Sequence, residues 1–311
     1  MIGYLVRRLA WAALVVWFVV SAAFIMLTWI PADPAATLVG PHGNAESIAR
    51  ARRAYCLDAG LVEQYGCFVG RLARGDMGES FRTGREVAEV IGERIWPTVQ
   101  LALTAMFLQL IIAIPLGVLA ATRRNTIVDY LANGIALLGQ SAPVFFVGLL
   151  LMYLFGFQLG WLPMTGYGEG FSGRLQHLLL PATTLALIGC AYYTRLVRSE
   201  LVETLQEDYM RTARAKGLPE VTVVCKHGLR NSLSPVLTLM GLDLGVLMGG
   251  AVVTESIFLW PGLGREVLHA IVDADVPLVL GVVLFTSLCI VLANLLVDLA
   301  YGWLDPRVRL Q

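Results

Sequence analysis

The 311-residue chain has little charge and no net charge. Only 15% of its residues are Asp, Glu, Lys or Arg, and 23 basic residues balance 23 acidic ones. Soluble domains carry about 25% charged residues, and proteins that bind nucleic acids usually show a basic excess. The composition therefore argues against a soluble domain and gives no sign of a nucleic-acid partner. With 57% hydrophobic residues, the chain is predicted to be a polytopic membrane protein.

The sequence also lacks the residue patterns of an enzyme or a resident metal site. Its four histidines are dispersed, and none lies beside a Cys, Asp or Glu at ligand spacing. There is no Gly-x-x-x-x-Gly-Lys-Ser/Thr run to hold a nucleoside triphosphate. We therefore predict no catalytic residue, no metal and no cofactor bound by this chain. If ATP drives its activity, another chain must bind the ATP.

Six apolar runs are long enough to cross a bilayer, since a spanning helix needs about 20 largely apolar residues. They are residues 9–30, 98–121, 134–157, 175–194, 231–254 and 276–297. The first run follows two arginines, as in a signal peptide, but its 22 residues are too many for an h-region, so we expect it to be retained. The prediction is an all-α polytopic fold with six transmembrane helices.

The basic residues of the connections predict the orientation. With the N-terminus in the cytoplasm, the inner segments carry 13 Lys or Arg residues and the two short outer loops carry two. Cytoplasmic loops are the ones enriched in Lys and Arg, while loops above about 60 residues largely escape this rule. We therefore expect both termini in the cytoplasm. The predicted parts are residues 1–30, an extracytoplasmic segment 31–97, and a five-span core 98–311 with a cytoplasmic loop 195–232.

The outer segment is too long for a bare connection. Asn44 is a suitable N-cap for a helix to about Leu57, and apolar residues at helical spacing follow between Leu61 and Leu72. Val87 and nearby apolar residues mark a third helix. These features predict a helical cap, which either docks a delivery protein or serves as a structural lid.

Two of the five cysteines lie in the outer segment. Cys56 and Cys67 are eleven residues apart in a compartment expected to be oxidising. Two alternatives therefore follow for this pair, a disulfide or two free thiols. The other three, Cys190, Cys225 and Cys289, fall in spans or in the cytoplasmic loop, where we expect free thiols.

Three polar residues at or near membrane depth are candidates for a substrate path: Gln140, Asp243 and Glu255. Burying an acid at the position of Asp243 costs about 2.5–3.5 kcal/mol on insertion scales, so its carboxylate should face protein or water. It could contact an amino group of the substrate or accept a hydrogen bond from a neighbouring helix. Glu255 lies near the end of its span and could reach the interface.

The cytoplasmic loop contains a charged, helix-forming stretch from Arg198 to about Lys216, which Gly217 should end. A second short helix is expected from about Glu220. Tyr209, Ala213 and Lys216 recur at helical spacing and predict a flat, small-residue stripe with basic flanks. Such a stripe could dock a soluble partner or contact lipid headgroups.

At this loop the chain resembles the inner-membrane permease subunits of binding-protein-dependent ABC importers of the dipeptide, oligopeptide and nickel class. The family signature reads Glu-Ala-Ala, three residues, Gly, nine residues, then Ile-x-Leu-Pro. Gly217 fixes the register, and Ala213 and Leu229 match. The departures, Arg211 for Glu, Thr212 for Ala, His227 for Ile and Arg230 for Pro, are similar to the peptide-class variant. Further matching passages run from Tyr4 to Arg8, Gly75 to Gly78, Gly249 to Glu255, Pro261 to Gly264 and Asp305 to Arg307.

The resemblance implies a set of partners in the plasma (inner) membrane of a prokaryote. A homologous second permease subunit would share the path, and an extracytoplasmic substrate-binding protein would deliver cargo. Two cytoplasmic ATPase subunits, which carry ATP and Mg, would dock on the loop, and membrane lipid surrounds the spans. The motif assigns ATPase coupling to eight residues: Tyr209, Arg211, Thr212, Ala213, Arg214, Ala215, Lys216 and Gly217.

The sequence predicts the class of transporter more specifically than it predicts the transported substrate. The resemblance favours di- or oligopeptides moved into the cytoplasm, with a nickel chelate or another small solute as the alternative in the same class. A proton-coupled secondary transporter, using Asp243 or Glu255, is the alternative from a different class.

Overall fold

The computed structural model describes residues 2–29, 35, 39, 44–54, 56–80, 82–248 and 251–304. Among these residues the structure is helical, and the β contact present is one isolated antiparallel bridge between Glu79 and Glu86. The chain forms two compact units. The first comprises Met1–Thr98, Gly245–Val252 and Pro261–Leu295, and the second comprises Val99–Leu244, Val253–Trp260 and Leu296–Gln311.

The α-helices are numbered in chain order. They are α1 (Ile2–Trp29), α2 (Ala45–Ala54), α3 (Leu61–Ala73), α4 (Val87–Thr122), α5 (Ile127–Ser141), α6 (Val144–Leu151), α7 (Gly170–Thr204), α8 (Asp208–Ala215), α9 (Glu220–Thr222), α10 (Arg230–Ser232), α11 (Ser234–Met248), α12 (Val252–Ile257), α13 (Leu263–Val272) and α14 (Val276–Leu304). Two π-helical stretches, Met152–Gln158 and Val223–Leu229, extend α6 and join α9 to α10.

Four helices of the described part are long and apolar enough to cross a membrane. Their spanning parts are Val6–Met26, Val87–Thr122, Gly170–Thr204 and Val276–Leu295. The segments Glu220–Ser232 and Ser234–Met248 are bent by 49° relative to each other. They make a fifth crossing if the bent pair forms one span. The membrane-protein fold is therefore confirmed, whereas the count of six stays a prediction.

The predicted third span, 134–157, is divided in the structure. Its residues belong to α5 and to the shorter apolar helix Val144–Gln158, with a break at Ala142 and Pro143. Pro143 has extended backbone angles, φ −60° and ψ 137°. Proline has no N–H to donate and its ring clashes with the preceding turn, which explains why a helix ends here and another begins.

The first unit has its core where α4, α13 and α14 pack. Buried residues from the three helices form this core: Val87, Val90, Ile91, Leu263, Ala270, Leu278 and Val282. The Leu263 N–H donates to Thr98 Oγ1 at 2.8 Å. The predicted third cap helix is not separate, because α4 runs unbroken from Val87 through the predicted boundary at residues 97–98.

The outer helices of this unit follow the sequence pattern closely. The Ser47 N–H donates to Asn44 Oδ1 at 2.7 Å, which confirms the predicted N-cap of α2. Helix α3 packs on α1 and α14 through Phe68, Ala23 and Leu284. It ends before Gly75, whose φ of +80° suits a residue without a side chain.

The second unit is organised around α7, which packs against α5 and α6. Small residues allow close helix approach. An ideal Cβ on Gly117 of α4 would lie 2.7 Å from Val197 Cβ, and one on Gly148 of α6 would lie 3.4 Å from Thr184 Cγ2. Because both neighbours are on α7, this helix is the common support for its unit.

Candidate functional site: the polar loop and the membrane-depth cluster

The helix predicted from Arg198 to Lys216 is two helices in the structure. Helix α7 ends at Thr204, residues 205–207 form a turn, and α8 begins at Asp208. Glu207, with φ −66° and ψ 149°, sets the new direction of the chain. Helix α8 ends at Ala215, and Gly217 takes the left-handed conformation, φ +75°, that favours glycine after a helix.

The inner face of α8 is apolar and buried. Met210 is fully buried and Ala213 is 8% exposed, and both pack with Val223 and Leu205. Beneath them, an ideal Cβ on Gly228 would lie 3.3 Å from Met210 Cε, so the backbone approaches closely. The predicted stripe of Tyr209, Ala213 and Lys216 is therefore wrong as an outward surface, because Ala213 faces the protein.

The outer face of α8 is polar and open. The exposed members of the predicted coupling set are Tyr209, Arg211, Thr212, Arg214, Ala215, Lys216 and Gly217. Arg211 makes a 3.4 Å contact with Asp208 in the same helix, with its side chain 73% exposed. The helix thus presents a basic, small-residue surface.

Three polar contacts, made by two residues of this helix, fix it to its neighbours. Arg214 pairs with Glu220 at 2.9 Å and donates to the Leu205 carbonyl at 3.4 Å. The hydrogen bond to Glu220 raises the pKa of the Arg214 guanidinium above its usual range. On the other side, Asn231 Nδ2 donates to the Tyr209 hydroxyl at 2.8 Å. The loop is therefore tied at one end to the turn after α7 and at the other to the segment that leads into α11.

The structure describes the side chains of two of the three predicted path residues, Asp243 and Glu255. The side chain of Gln140 lies outside the described part of the structure. Glu255, on α12, is fully buried within the protein. Its carbonyl accepts a hydrogen bond from the Trp260 N–H at 2.8 Å.

Asp243 is held by side chains of two other helices. Gln109 Nε2 of α4 donates to Asp243 Oδ2 at 2.8 Å, and the Tyr193 hydroxyl of α7 donates to the same oxygen at 3.3 Å. Of the two expectations for this carboxylate, the hydrogen bond to a neighbouring helix is therefore observed. The cluster lies in the second unit.

An ion pair that was not predicted from the sequence links two helices of this unit, with a buried carboxylate and a partly exposed guanidinium. Arg198 of α7 binds both carboxylate oxygens of Asp129 on α5, at 2.5 and 2.6 Å. The Asn125 N–H donates to Asp129 at 3.0 Å. The partners are 69 residues apart in sequence, and no local motif links them.

Cys56 and Cys67 are joined as a disulfide, with their Cα atoms 6.4 Å apart. The other three cysteines carry free thiols. Within the described ranges, no group of three or more His, Cys, Asp or Glu residues is arranged to hold a metal ion.

Fold and loop together define a class: an α-helical membrane protein with a short basic helix anchored between two of its apolar helices. The sequence matches the family described as the binding-protein-dependent transport system inner membrane component over residues 113–310. The N-terminal component of the same transport systems matches residues 1–102. The chain belongs to this family.

Individual proteins of known name and one solved structure show what this chain is similar to within and beyond the family. The glutathione transport system permease protein GsiC of Escherichia coli (strain K12) is 39% identical over 309 residues, 99% of each chain. The protein of the same name from Salmonella typhimurium (strain LT2) shows the same identity and coverage. Among solved structures, the inward-facing MetNI methionine ABC transporter has a chain that matches with a TM-score of 0.54 at 17% identity. The match covers 70% of this chain and 96% of that one, and it supports the fold. The protein is thus a permease subunit of an ABC importer.

Proposed function

We propose that this permease moves peptides into the cytoplasm and is driven through α8 by separate ATPase subunits. The proposed assembly contains a homologous second permease, two cytoplasmic ATPases with ATP and Mg, and an extracytoplasmic substrate-binding protein. Both termini of the chain lie in the cytoplasm, with membrane lipid around the spans. Family membership supports this scheme over proton-coupled transport.

The two-faced geometry of α8 carries the coupling proposal. Its exposed side offers Arg211 and Lys216 to acidic groups on an ATPase, while Met210 and Ala213 anchor the opposite side. Closely packed contacts move together, since protein interiors have low compressibility. A displacement of α8 would therefore pass to the end of α7 through Leu205 and toward α11 through Asn231.

A charge-reversal experiment tests the coupling surface. Arg211→Glu combined with Lys216→Glu leaves the buried contacts of α8 intact and should lower the recovery of ATPase subunits with the purified permease at least tenfold. Arg123→Glu combined with Arg124→Glu is the matched control, because these arginines are also exposed on the predicted cytoplasmic side. Equal ATPase recovery from both double variants would refute α8 as the docking element.

Peptide cargo is supported by the relatives, which are named as glutathione transport system permeases. Glutathione is a tripeptide, so it is the first cargo to test, followed by di- and oligopeptides. Uptake of these by the reconstituted importer supports the proposal. Uptake of a nickel chelate with no uptake of any peptide would overturn the peptide assignment and leave the ATPase coupling untouched.

A further inference from the structure

We propose that Asp243 forms a binding site for the ammonium group of the transported substrate, with Gln109 and Tyr193 as positioning residues. The inference rests on the proposed function, because it assumes that a peptide passes through this chain. It assigns Asp243 a role in recognising charge, and it names the free amino terminus as the substrate feature recognised.

The carboxylate of Asp243 is oriented by donors that are themselves immobilised. Gln109 is 2% exposed and Tyr193 is 1% exposed, and both donate to Oδ2. Met106 Sδ lies 3.1 Å from the same Gln109 nitrogen. A carboxylate that is fixed on one oxygen by two buried donors presents its other oxygen in a defined direction.

Gly189 of α7 makes this arrangement possible. An ideal Cβ at this position would collide with Gln109 Oε1 and with the carbon that carries it. The missing side chain lets the Gln109 carboxamide lie directly against α7 while its nitrogen reaches Asp243. Any larger residue at position 189 would have to displace this donor.

The second oxygen remains available for a ligand. Asp243 is partly exposed, and no donor among the described residues reaches its Oδ1. An ionised carboxylate can accept about four hydrogen bonds, and here it accepts two, both on Oδ2. The preceding residue of α11, Leu242, is 52% exposed.

The negative charge of the Asp243 carboxylate favours a cationic ligand. No Lys, Arg or His of the described chain forms an ion pair with Asp243. Gln109 and Tyr193 are neutral, so the negative charge is not cancelled within the cluster. A charge at membrane depth is costly unless it is paired, and a transient cation would offset that cost. The α-ammonium of a peptide supplies one charge and three donors in a compact group.

Asp243→Asn tests the site because it removes the charge and keeps the shape and an acceptor for both donors. The complete importer is reconstituted in vesicles, and uptake of glutathione and of its N-acetyl derivative is compared. The variant should lose tenfold or more of the preference for the free amine. Tyr193→Phe should lose less. Thr238→Val, on the same helix and exposed, should keep the parental ratio. If the ratio of glutathione uptake to N-acetyl-glutathione uptake is unchanged in Asp243→Asn, including when both uptakes fall equally, the proposal is overturned.

A labelling experiment decides the question if neither compound is carried. Asp243→Cys is prepared with the three free cysteines, Cys190, Cys225 and Cys289, replaced by serine. A water-soluble trimethylammonium methanethiosulfonate should modify it in the assembled complex in at least one nucleotide state. Val197→Cys, at a fully buried position, should stay unmodified. Absence of modification of Asp243→Cys in every nucleotide state contradicts the site, whereas failure of the proposed function would show as missing ATPase subunits.

Discussion

A disulfide cross-links the outer cap, residues 44–80, whereas the polar loop, residues 205–232, has none. The cap relies on the Cys56–Cys67 disulfide, on Gln64 Nε2 bonded to two carbonyls at 2.9 and 3.1 Å, and on the Arg71–Asp76 pair at 2.8 Å. In α3 the buried side chain is Phe68. Phe68 packs with Ala23 of α1 and Leu284 of α14. The loop buries its own cluster of apolar side chains beneath α8 and has a polar link between Arg214 and Glu220.

This difference has a mechanical consequence. A disulfide adds a covalent link to the packing of the cap and so preserves the shape of a small exposed segment. A packed apolar contact resists compression and moves as a unit with whatever it touches. The cap is therefore built to keep its form, and the loop is built to transmit displacement.

The largest expected effect is in the packed loop. Met210→Ala removes a fully buried side chain, and such truncations cost about 2–5 kcal/mol. We expect α8 to detach from the rest of the loop and ATPase recovery to fall, while the chain still inserts. Co-purification of the ATPases measures this. Val221→Ala, at a site that is 75% exposed in the same loop, is the control. Equal ATPase recovery from the two variants would show that packing under α8 does not matter.

The disulfide of the cap should matter only to the cap. Replacing Cys56 and Cys67 together by serine removes a cross-link between residues 11 apart. The chain-entropy model gives roughly 3 kcal/mol for loops of about this size. We expect faster proteolysis between residues 44 and 80 and normal ATPase recovery. Loss of the ATPases in this variant would contradict the division between the two regions.

A smaller effect is expected for the pair of Arg214 and Glu220. Their side chains are 39% and 61% exposed, and exposed pairs contribute about 0.2–1 kcal/mol. Arg214→Gln should lower transport less than fivefold, because Met210 and Ala213 keep their contacts. Exchange of the charges, Arg214→Glu with Glu220→Arg, should restore part of the loss in an uptake assay. No recovery in the exchanged variant would indicate that Arg214 acts through the ATPase instead.

The smallest effect is electrostatic and concerns the cap. The hydrogen bond from Arg71 holds the pKa of the Asp76 carboxyl below its usual range. Because the folded pKa is lowered, the stabilisation is complete above the unfolded pKa of about 3.9. It is lost as the pH falls through the folded pKa. NMR titration of labelled aspartates should show a low Asp76 pKa that rises in Arg71→Gln. An unchanged pKa in that variant would remove Arg71 as the cause.

The sequence predicts the elements that depend on local pattern. Asn44 as an N-cap, the amphipathic α3 and the membrane-protein fold follow from neighbouring residues, and the structure agrees. The breaks at Pro143 and at residues 205–207 were missed, since both interrupt runs with good helix-forming or apolar composition. Periodicity predicts that Tyr209, Ala213 and Lys216 lie at helical spacing, but it does not predict which face of α8 is buried. The buried face is determined by the packing of Met210 against Val223.

The sequence predicted the residues of the polar loop but not the partners of Asp243, because only the loop residues form a local pattern. The loop residues lie in one short motif, so the family resemblance identifies them as a set. The partners of Asp243 lie 134 and 50 residues away, on α4 and α7. The pairing of Asp129 with Arg198 likewise depends on how α5 packs against α7. Such contacts are created by tertiary packing and leave no local trace in the sequence.

Site-specific photo-crosslinking in the native membrane tests most directly whether α8 is the element that meets the ATPases. The crosslinking residue is placed at Arg211, which is 73% exposed on α8, or at Val62, which is 88% exposed in the cap. We predict an adduct with an ATPase subunit from position 211 and none from position 62. An ATPase adduct from position 62, or its absence from position 211 in the assembled complex, would contradict the account.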